Sequence, residues 1–259
     1  MEKFEVYILG CGSALPTLHH YASSQIISIR EKMFMVDCGE GTQIQLRRSK
    51  VRFTRINNIF ISHLHGDHCF GLIGMISTFG MLGRTAPLDI YAPTDFGPIL
   101  DMQLKAFCEG LEYEVRFHGI DTTSNEVIYE DRSLTVTTIP LRHRMPCCGF
   151  LFKEKPTLPH IRRDMVDFYK IPQYAYNNIK EGQDWITPDG EVISASSLTS
   201  PADPIRSYAY CSDTAYMPNL HKMIQDVSAL YHESTYGNDN EGRAKKYYHS
   251  TASQAAKVA

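Results

Sequence analysis

The residues best suited to chemistry crowd into one short stretch, Ser62-His63-Leu64-His65-Gly66-Asp67-His68, which reads H-x-H-x-D-H. Three imidazoles and one carboxylate fall within six positions, directly after the apolar run Ile59-Phe60-Ile61. Neutral imidazole and carboxylate are ligand types that zinc accepts. Alternate side chains of an extended segment share a face, so His63 and His65 are expected to grip one ion. Gly66 permits a bend that brings Asp67 and His68 round to a second position. Two metal ions held close together lower the pKa of a shared water toward neutrality, so the chemistry predicted is hydrolysis. A loop that is merely His-rich does not account for four ligands at this spacing after a strand.

Residues elsewhere could complete such a centre. His143 follows an apolar strand pattern and is a candidate third nitrogen for the first metal. Asp213, at the end of another strand, is either an ordinary turn aspartate or a carboxylate shared by two metals. Asp37 is either an orienting group beside the metals or part of the acidic N-cap region of a helix beginning near Glu40. That helix is predicted to run through Ile44 and Leu46 into 47–55, where five of nine residues are basic. Such a run is usually a solvated face. Placed just ahead of the metal loop, Arg47, Arg48, Lys50 and Arg52 also suit contact with phosphates.

The elements that must position these groups are mixed. Strands are predicted over 4–9, 26–29, 33–36, 88–91, 112–117, 126–129, 134–139, 148–152, 207–211 and 227–231, and helices over 70–80 and 99–107. This is not a strict βαβ alternation, and it favours two packed sheets with helices outside. Residues 153–201 differ: they hold five prolines, several basic residues and the only tryptophan, Trp185. They read as an inserted arm with one short helix near Arg163–Tyr169. Arg162 and Arg163, interleaved with Tyr169, Tyr174 and Tyr176, suit RNA; a plain structural insertion is the alternative. A final helix opens with the capping-box spacing of Thr251 and Gln254 and runs to Ala259 with no stop signal.

Composition sets bounds. With 259 residues and 43% hydrophobic content there is material for a large core. No apolar run nears the ~20 residues needed to span a bilayer, and Met1 to Val6 has no signal-peptide layout. A cytoplasmic protein with no membrane partner is expected. Seven scattered cysteines suit reduced, buried thiols. A net charge of −3 argues against a protein coated by nucleic acid along its whole surface, and no DNA partner is expected.

Taken together, His63, His65, Asp67, His68, His143 and Asp213 resemble the metallo-β-lactamase fold, an α+β sandwich of four layers, αββα. Finer features are similar to the ribonuclease Z branch, the tRNA 3′-processing endonucleases. They are Leu9 to Thr17, Asp37 to Gln43, Ser62 to His68, His143-Arg144-Met145-Pro146, Cys211-Ser212-Asp213-Thr214, His232-Glu233-Ser234-Thr235 and His249-Ser250-Thr251. The likeness covers nearly the whole chain, read as a single domain over 1–259 with 153–201 inserted in it.

The resemblance implies two zinc ions per subunit, with manganese able to use the same ligands. His63, His65 and His143 would hold one ion, Asp67 and His68 the other, and Asp213 would bridge. Asp67 would act as general base, and Glu233 with His249 would assist the leaving 3′ oxygen. Precursor tRNA would be cut after the discriminator nucleotide, and the chain would work as a homodimer whose arm grips tRNA. Two departures stand out. The family's further metal-ligand histidine follows the helix that ends here at Ala259, so a C-terminal truncation and a weaker second site are expected. The Gly-Pro turn common in the arm is replaced by Ile171-Pro172-Gln173-Tyr174. The alternative substrate class is a small phosphodiester or other ester.

Overall fold

The computed structural model describes residues 3–15 and 17–259. Met1 and Glu2 of the opening stretch, and Pro16 of the Leu9–Thr17 motif, lie outside them. The chain forms two compact units, one of them Glu154–Arg206 and the other the remainder.

The larger unit is built on two sheets. In the first, β1 (Phe4–Gly10), β2 (Ser24–Ile29) and β3 (Lys32–Val36) run antiparallel, and β4 (Ile56–Phe60), β5 (Leu88–Pro93) and β6 (Val115–Ile120) add in parallel. The second contains β7 (Val127–Glu130), β8 (Leu134–Pro140), β9 (Cys148–Glu154), β10 (Ser207–Cys211) and β11 (Ala229–His232). Its order is β11-β10-β9-β8-β7, with β10 and β11 parallel. Strand β2 is buried along its whole length, its polar Ser24, Gln25 and Ser28 included.

Apolar side chains sort the layers. Phe34 and Phe60 of the first sheet meet Phe150, Phe152 and Tyr210 of the second in one buried cluster. Phe60 lies 5.4 Å from Phe150 and 5.6 Å from Phe152, ring centre to ring centre. Losing any one of these rings would cost about 3–5 kcal/mol. The outer face of the first sheet is covered by Leu46 of α1 (Thr42–Arg48), Met75 and Phe79 of α3 (Leu72–Met81), and Phe96 and Leu100 of α4 (Phe96–Phe107). Between α1 and α3 lies the short α2 (Gly66–Cys69). The outer face of the second sheet takes Leu220, Ile224 and, from α6 (Ala252–Val258), Val258. Helix α5 (Glu241–Tyr247) precedes α6. This is the four-layer αββα sandwich expected.

Several boundaries differ from the sequence expectation. Helix α1 stops at Arg48 instead of continuing to 55, because Lys50 turns left-handed (φ 55). That reversal buries Val51, whose N–H donates to the Leu46 carbonyl at 3.2 Å. The helix expected over 70–80 begins at Leu72, after Gly71, which donates to the Cys38 carbonyl at 2.9 Å. A Cβ at Gly71 would lie 2.1 Å from the Gly39 carbonyl oxygen, so this close approach needs glycine. Strand β6 begins at Val115 instead of 112, and β11 at Ala229 instead of 227.

The smaller unit has its own core of Val166, Ile171, Ile179, Ile193 and Leu198. It holds three short helices, Arg163–Phe168, Tyr176–Lys180 and Ala195–Leu198, where one was expected. The two missed helices have five and four residues, too few to display a helical period. The Arg206 guanidinium clamps the Glu154 carboxylate through Nε to Oε2 at 2.8 Å and Nη2 to Oε1 at 2.7 Å, so the two ends of the unit are tied together. All seven cysteines are free; Cys11 is exposed and the other six are buried. Among the described residues no helix is long and apolar enough to cross a membrane.

Candidate active site

Strand β4 delivers the chain to the H-x-H-x-D-H loop. Past Phe60 the Ile61 N–H is still held by the Tyr91 carbonyl at 2.8 Å, and Ser62 to His65 follow as an extended segment. His65 caps α2, which carries Asp67 and His68. A Cβ at Gly66 would meet the exposed Phe70 ring at 2.3 Å.

Four predicted ligands converge from three elements. His63 Nε2 lies 3.0 Å from His65 Nδ1, which lies 3.2 Å from His143 Nε2. Asp213 Oδ2 approaches His63 Nε2 at 3.7 Å and His143 Nε2 at 3.9 Å. One donor atom from each of these residues fits within 4.8 Å of the others. Asp67 and His68 form the other side. Asp213 Oδ2 is also 3.7 Å from His68 Nε2, which is 3.6 Å from Asp67 Oδ2. One carboxylate oxygen thus stands equally far from a nitrogen of each group.

The electrostatics suit a cation. Burial, then the neighbouring imidazoles, push His63 well below its ordinary value. Burial, then the Arg144 guanidinium, push His65 down to about 4. Burial also lowers His143. These rings are therefore neutral near pH 7 and present lone pairs to one point. Burial pushes Asp213 up to about 6 despite the nearby histidines. A buried carboxylate among neutral imidazoles is a donor set that a divalent ion completes.

Two of the predicted ligands, His68 and His143, are oriented from behind. His68 Nδ1 donates to Asp37 Oδ2 at 2.6 Å, leaving Nε2 facing the centre. Asp37 is fully buried and also accepts from the Ser62 N–H (2.8 Å), the Ser62 hydroxyl (3.0 Å) and the Tyr210 hydroxyl (2.6 Å). The open question about Asp37 is settled by these contacts: it orients His68, and Gly41 is the N-cap of α1. His143 Nδ1 donates to the Tyr248 carbonyl at 3.0 Å, and Tyr248 is itself left-handed (φ 59). Nothing in the sequence marks Tyr210 or Tyr248 for these tasks; both contacts are made by residues distant in the chain.

Beside the cluster stands a second pair. His249 Nδ1 donates to Glu233 Oε1 at 3.0 Å and lies 4.0 Å from Asp213 Oδ2. Glu233 follows β11 and is held by the backbone N–H groups of Thr235 (2.7 Å), Ser250 (2.9 Å) and Thr214 (3.2 Å). Burial lowers His249, but the Glu233 hydrogen bond and the carboxylate charges outweigh it and raise the group. Glu233 and His249, with His65, Asp67, His68 and Asp213, line a cleft of about 990 Å³ that also takes in Gly12, Ser13 and Arg144.

The predicted basic contacts lie elsewhere. Arg47, Arg48, Lys50 and Arg52 are exposed, and none of them lines the cleft. Arg48 hydrogen-bonds the Tyr21 hydroxyl and sits over that ring. Arg162 and Arg163 are exposed on the smaller unit, beside Asp164 and Asp167.

Comparison with known proteins places this geometry. Ribonuclease Z of Bacteroides fragilis is 59% identical over 259 residues, covering all of this chain and 85% of that protein. The chain belongs to the ribonuclease Z family. Ribonuclease Z of Porphyromonas gingivalis is 49% identical with the same coverage. The crystal structure of the short form of human tRNase Z superposes with a TM-score of 0.70 at 24% identity, over all of this chain and 87% of that one, a likeness of fold. A family model described as anti-Pycsar protein Apyc1 also matches, over residues 4–165. That match takes in the H-x-H-x-D-H loop and His143 but stops short of Asp213, Glu233 and His249. The ribonuclease Z likeness extends over all of them.

Proposed function

We propose that this chain is a metal-dependent endoribonuclease that cuts precursor tRNA 3′ of the discriminator nucleotide and leaves a 3′-OH for CCA addition. The observation that carries the reading is the position of Asp213 Oδ2, 3.7 Å from both His63 Nε2 and His68 Nε2 and 4.0 Å from His249 Nδ1. A two-sided ligand set and an acid pair thereby share one reaction space.

His63, His65 and His143 would hold one ion, Asp67 and His68 the other, and Asp213 both; zinc is the natural occupant and manganese suits the same donors. When bound, such ions supply positive charge to the phosphate and make water acidic enough to ionise near neutral pH. The protein's own groups do the rest. Asp67 takes the proton of the attacking water. His249, whose Nδ1–H is held by Glu233, gives its Nε2 proton to the departing O3′. Arg47, Arg48, Lys50 and Arg52, with Arg162 and Arg163 of the arm, neutralise tRNA phosphates away from the reaction. The enzyme works as a cytoplasmic homodimer.

The test is cleavage of an end-labelled precursor tRNA by the chain and by Asp67→Ala, with zinc content measured alongside. A single cut after the discriminator, lost in the variant, is expected. Two bound metals with hydrolysis of a small phosphodiester and no cut in tRNA would sink the substrate assignment.

A further inference from the structure

His249 belongs to the walls of two cavities. One is the cleft that holds His65, Asp67, His68 and Asp213. The other, of about 370 Å³, is lined by Arg142, Tyr216, Glu241, Lys245, Tyr248 and Gln254 and by none of the metal ligands. We infer that this second cavity seats the nucleoside immediately 5′ of the scissile phosphate, the one that carries the departing O3′. The inference rests on the function proposed above.

The direction follows from the reaction. Hydrolysis that leaves a 3′-OH breaks the P–O3′ bond: water oxygen bonds to phosphorus, and O3′ departs with the bonding pair and receives a proton. The acid that supplies this proton faces the ribose bearing O3′. In-line attack brings the water from the opposite side, toward the metal ligands. With His249 as that acid, the ribose and its base continue past His249, into the second cavity.

The lining fits a nucleoside better than a phosphate. Tyr216 and Tyr248 place two aromatic side chains, the kind on which bases stack, in the lining. Arg142 and Lys245 offer donors, and the Arg142 guanidinium already sits 6.0 Å above the Tyr248 ring. Glu241, which accepts from Gln254 Nε2 at 3.0 Å, is a carboxylate that repels phosphate and can accept from a ribose 2′-hydroxyl.

The cavity is also built onto the acid pair. Its Ala215–Tyr216 wall continues from Thr214, whose N–H donates to Glu233 Oε1 at 3.2 Å and whose carbonyl accepts the Ser250 hydroxyl at 2.8 Å. Ala215 N–H in turn donates to the Arg142 carbonyl at 2.7 Å. Tyr248 holds a left-handed backbone with its carbonyl on His143. Strain of this kind persists only where surrounding contacts enforce it. The wall, the acid and a metal ligand are thus one rigid set.

The experiment uses the full chain and precursor tRNAs with a single abasic site, placed either just 5′ or just 3′ of the cut. The 5′ abasic site should lower kcat/KM about tenfold or more, the range of one lost base stack, and the 3′ abasic site far less. Tyr216→Leu should show the same loss on intact substrate and little additional loss with the 5′ abasic one. Equal sensitivity to the two abasic sites, or additive losses in Tyr216→Leu, overturns the seat. If Tyr216→Leu does not fold, Lys245→Ala, at an exposed position, replaces it in the same cycle. Failure of the parent chain to cut any precursor tRNA is a different result: it removes the functional reading, and this inference with it.

Discussion

Asp37 Oδ2 accepts the Nδ1–H of His68 at 2.6 Å across thirty-one positions of sequence. The bond fixes which nitrogen of His68 faces Asp67 and Asp213. It is held by a left-handed aspartate (φ 55), fully buried and clasped by the Ser62 and Tyr210 hydroxyls. A strained, buried carboxylate of this kind is maintained for the group it orients.

Asp37→Asn tests that role with little backbone cost, since asparagine also tolerates the left-handed region. The amide lacks the charge that holds the imidazole. Metal affinity at the Asp67–His68–Asp213 site should fall about 10–100-fold, with the far-ultraviolet circular dichroism unchanged. Zinc titration against a chromophoric chelator reads it. Unaltered affinity would assign Asp37 a purely structural part.

His249→Ala should lower kcat about 10²–10⁴-fold, the range for losing a positioned proton donor, without changing the amount of metal bound. Glu233→Gln should lower kcat in the same direction and keep KM, because the glutamine no longer holds the imidazole by charge. Single-turnover cleavage of a precursor tRNA separates these effects. A change confined to KM would place the pair in binding and not in chemistry.

How much of this was legible follows from distance along the chain. His63, His65, Asp67 and His68 lie within six residues, so their chemistry is written in their spacing. Asp37 was ambiguous because its partners His68 and Tyr210 are 31 and 173 residues away, and a strand-end aspartate before a helix looks alike in either role. The overlong α1 had a similar cause. Basic residues carry good helix propensity, and only the burial of Val51 ends the helix at Arg48. The sandwich was readable from its apolar strands, whereas the arm's two shortest helices are made by tertiary burial of Ile179 and Leu198.

Gly71→Ala should damage the site without touching a ligand. The Cβ would press on the Gly39 carbonyl oxygen at 2.1 Å. Gly71 and His68 both hydrogen-bond to Cys38, through Gly71 N (2.9 Å) and the His68 carbonyl (2.8 Å). Moving one moves the metal loop. A stability loss of about 1–3 kcal/mol, read by urea unfolding, should accompany a fall in bound zinc. A stable variant with full metal content would show that the loop has room to shift.

Asp131 links stability to acid. Burial pushes its carboxyl up, but hydrogen bonds from Lys32, the Ser133 N–H and hydroxyl, and Tyr129 outweigh burial and hold it well below the usual carboxylate range. A depressed carboxyl contributes its stability above the unfolded-state value, near pH 4, and loses it as pH falls further. Asp131→Asn should therefore cost about 1–3 kcal/mol at pH 7. The gap between variant and parent should close below about pH 4. Denaturant midpoints across this range decide it, and a constant gap would mean that the charge contributes nothing.

The exposed cations should declare themselves through salt. Each phosphate neutralised releases condensed counterions, so the logarithm of affinity falls linearly with the logarithm of salt concentration. Arg162 and Arg163 sit on the smaller compact unit, outside the unit that holds the ligand cluster. The double change Arg162→Ala with Arg163→Ala should weaken precursor tRNA binding and flatten its salt slope by about 1–2. Turnover of a small phosphodiester should not change, because such a substrate has no phosphate to reach the arm. Asp164 and Asp167 lie beside these arginines, so part of their charge is already offset and the lower figure is the more natural outcome. An unchanged slope would mean that the arm's cations serve only their own aspartates, and that Arg47, Arg48, Lys50 and Arg52 carry the phosphate contacts.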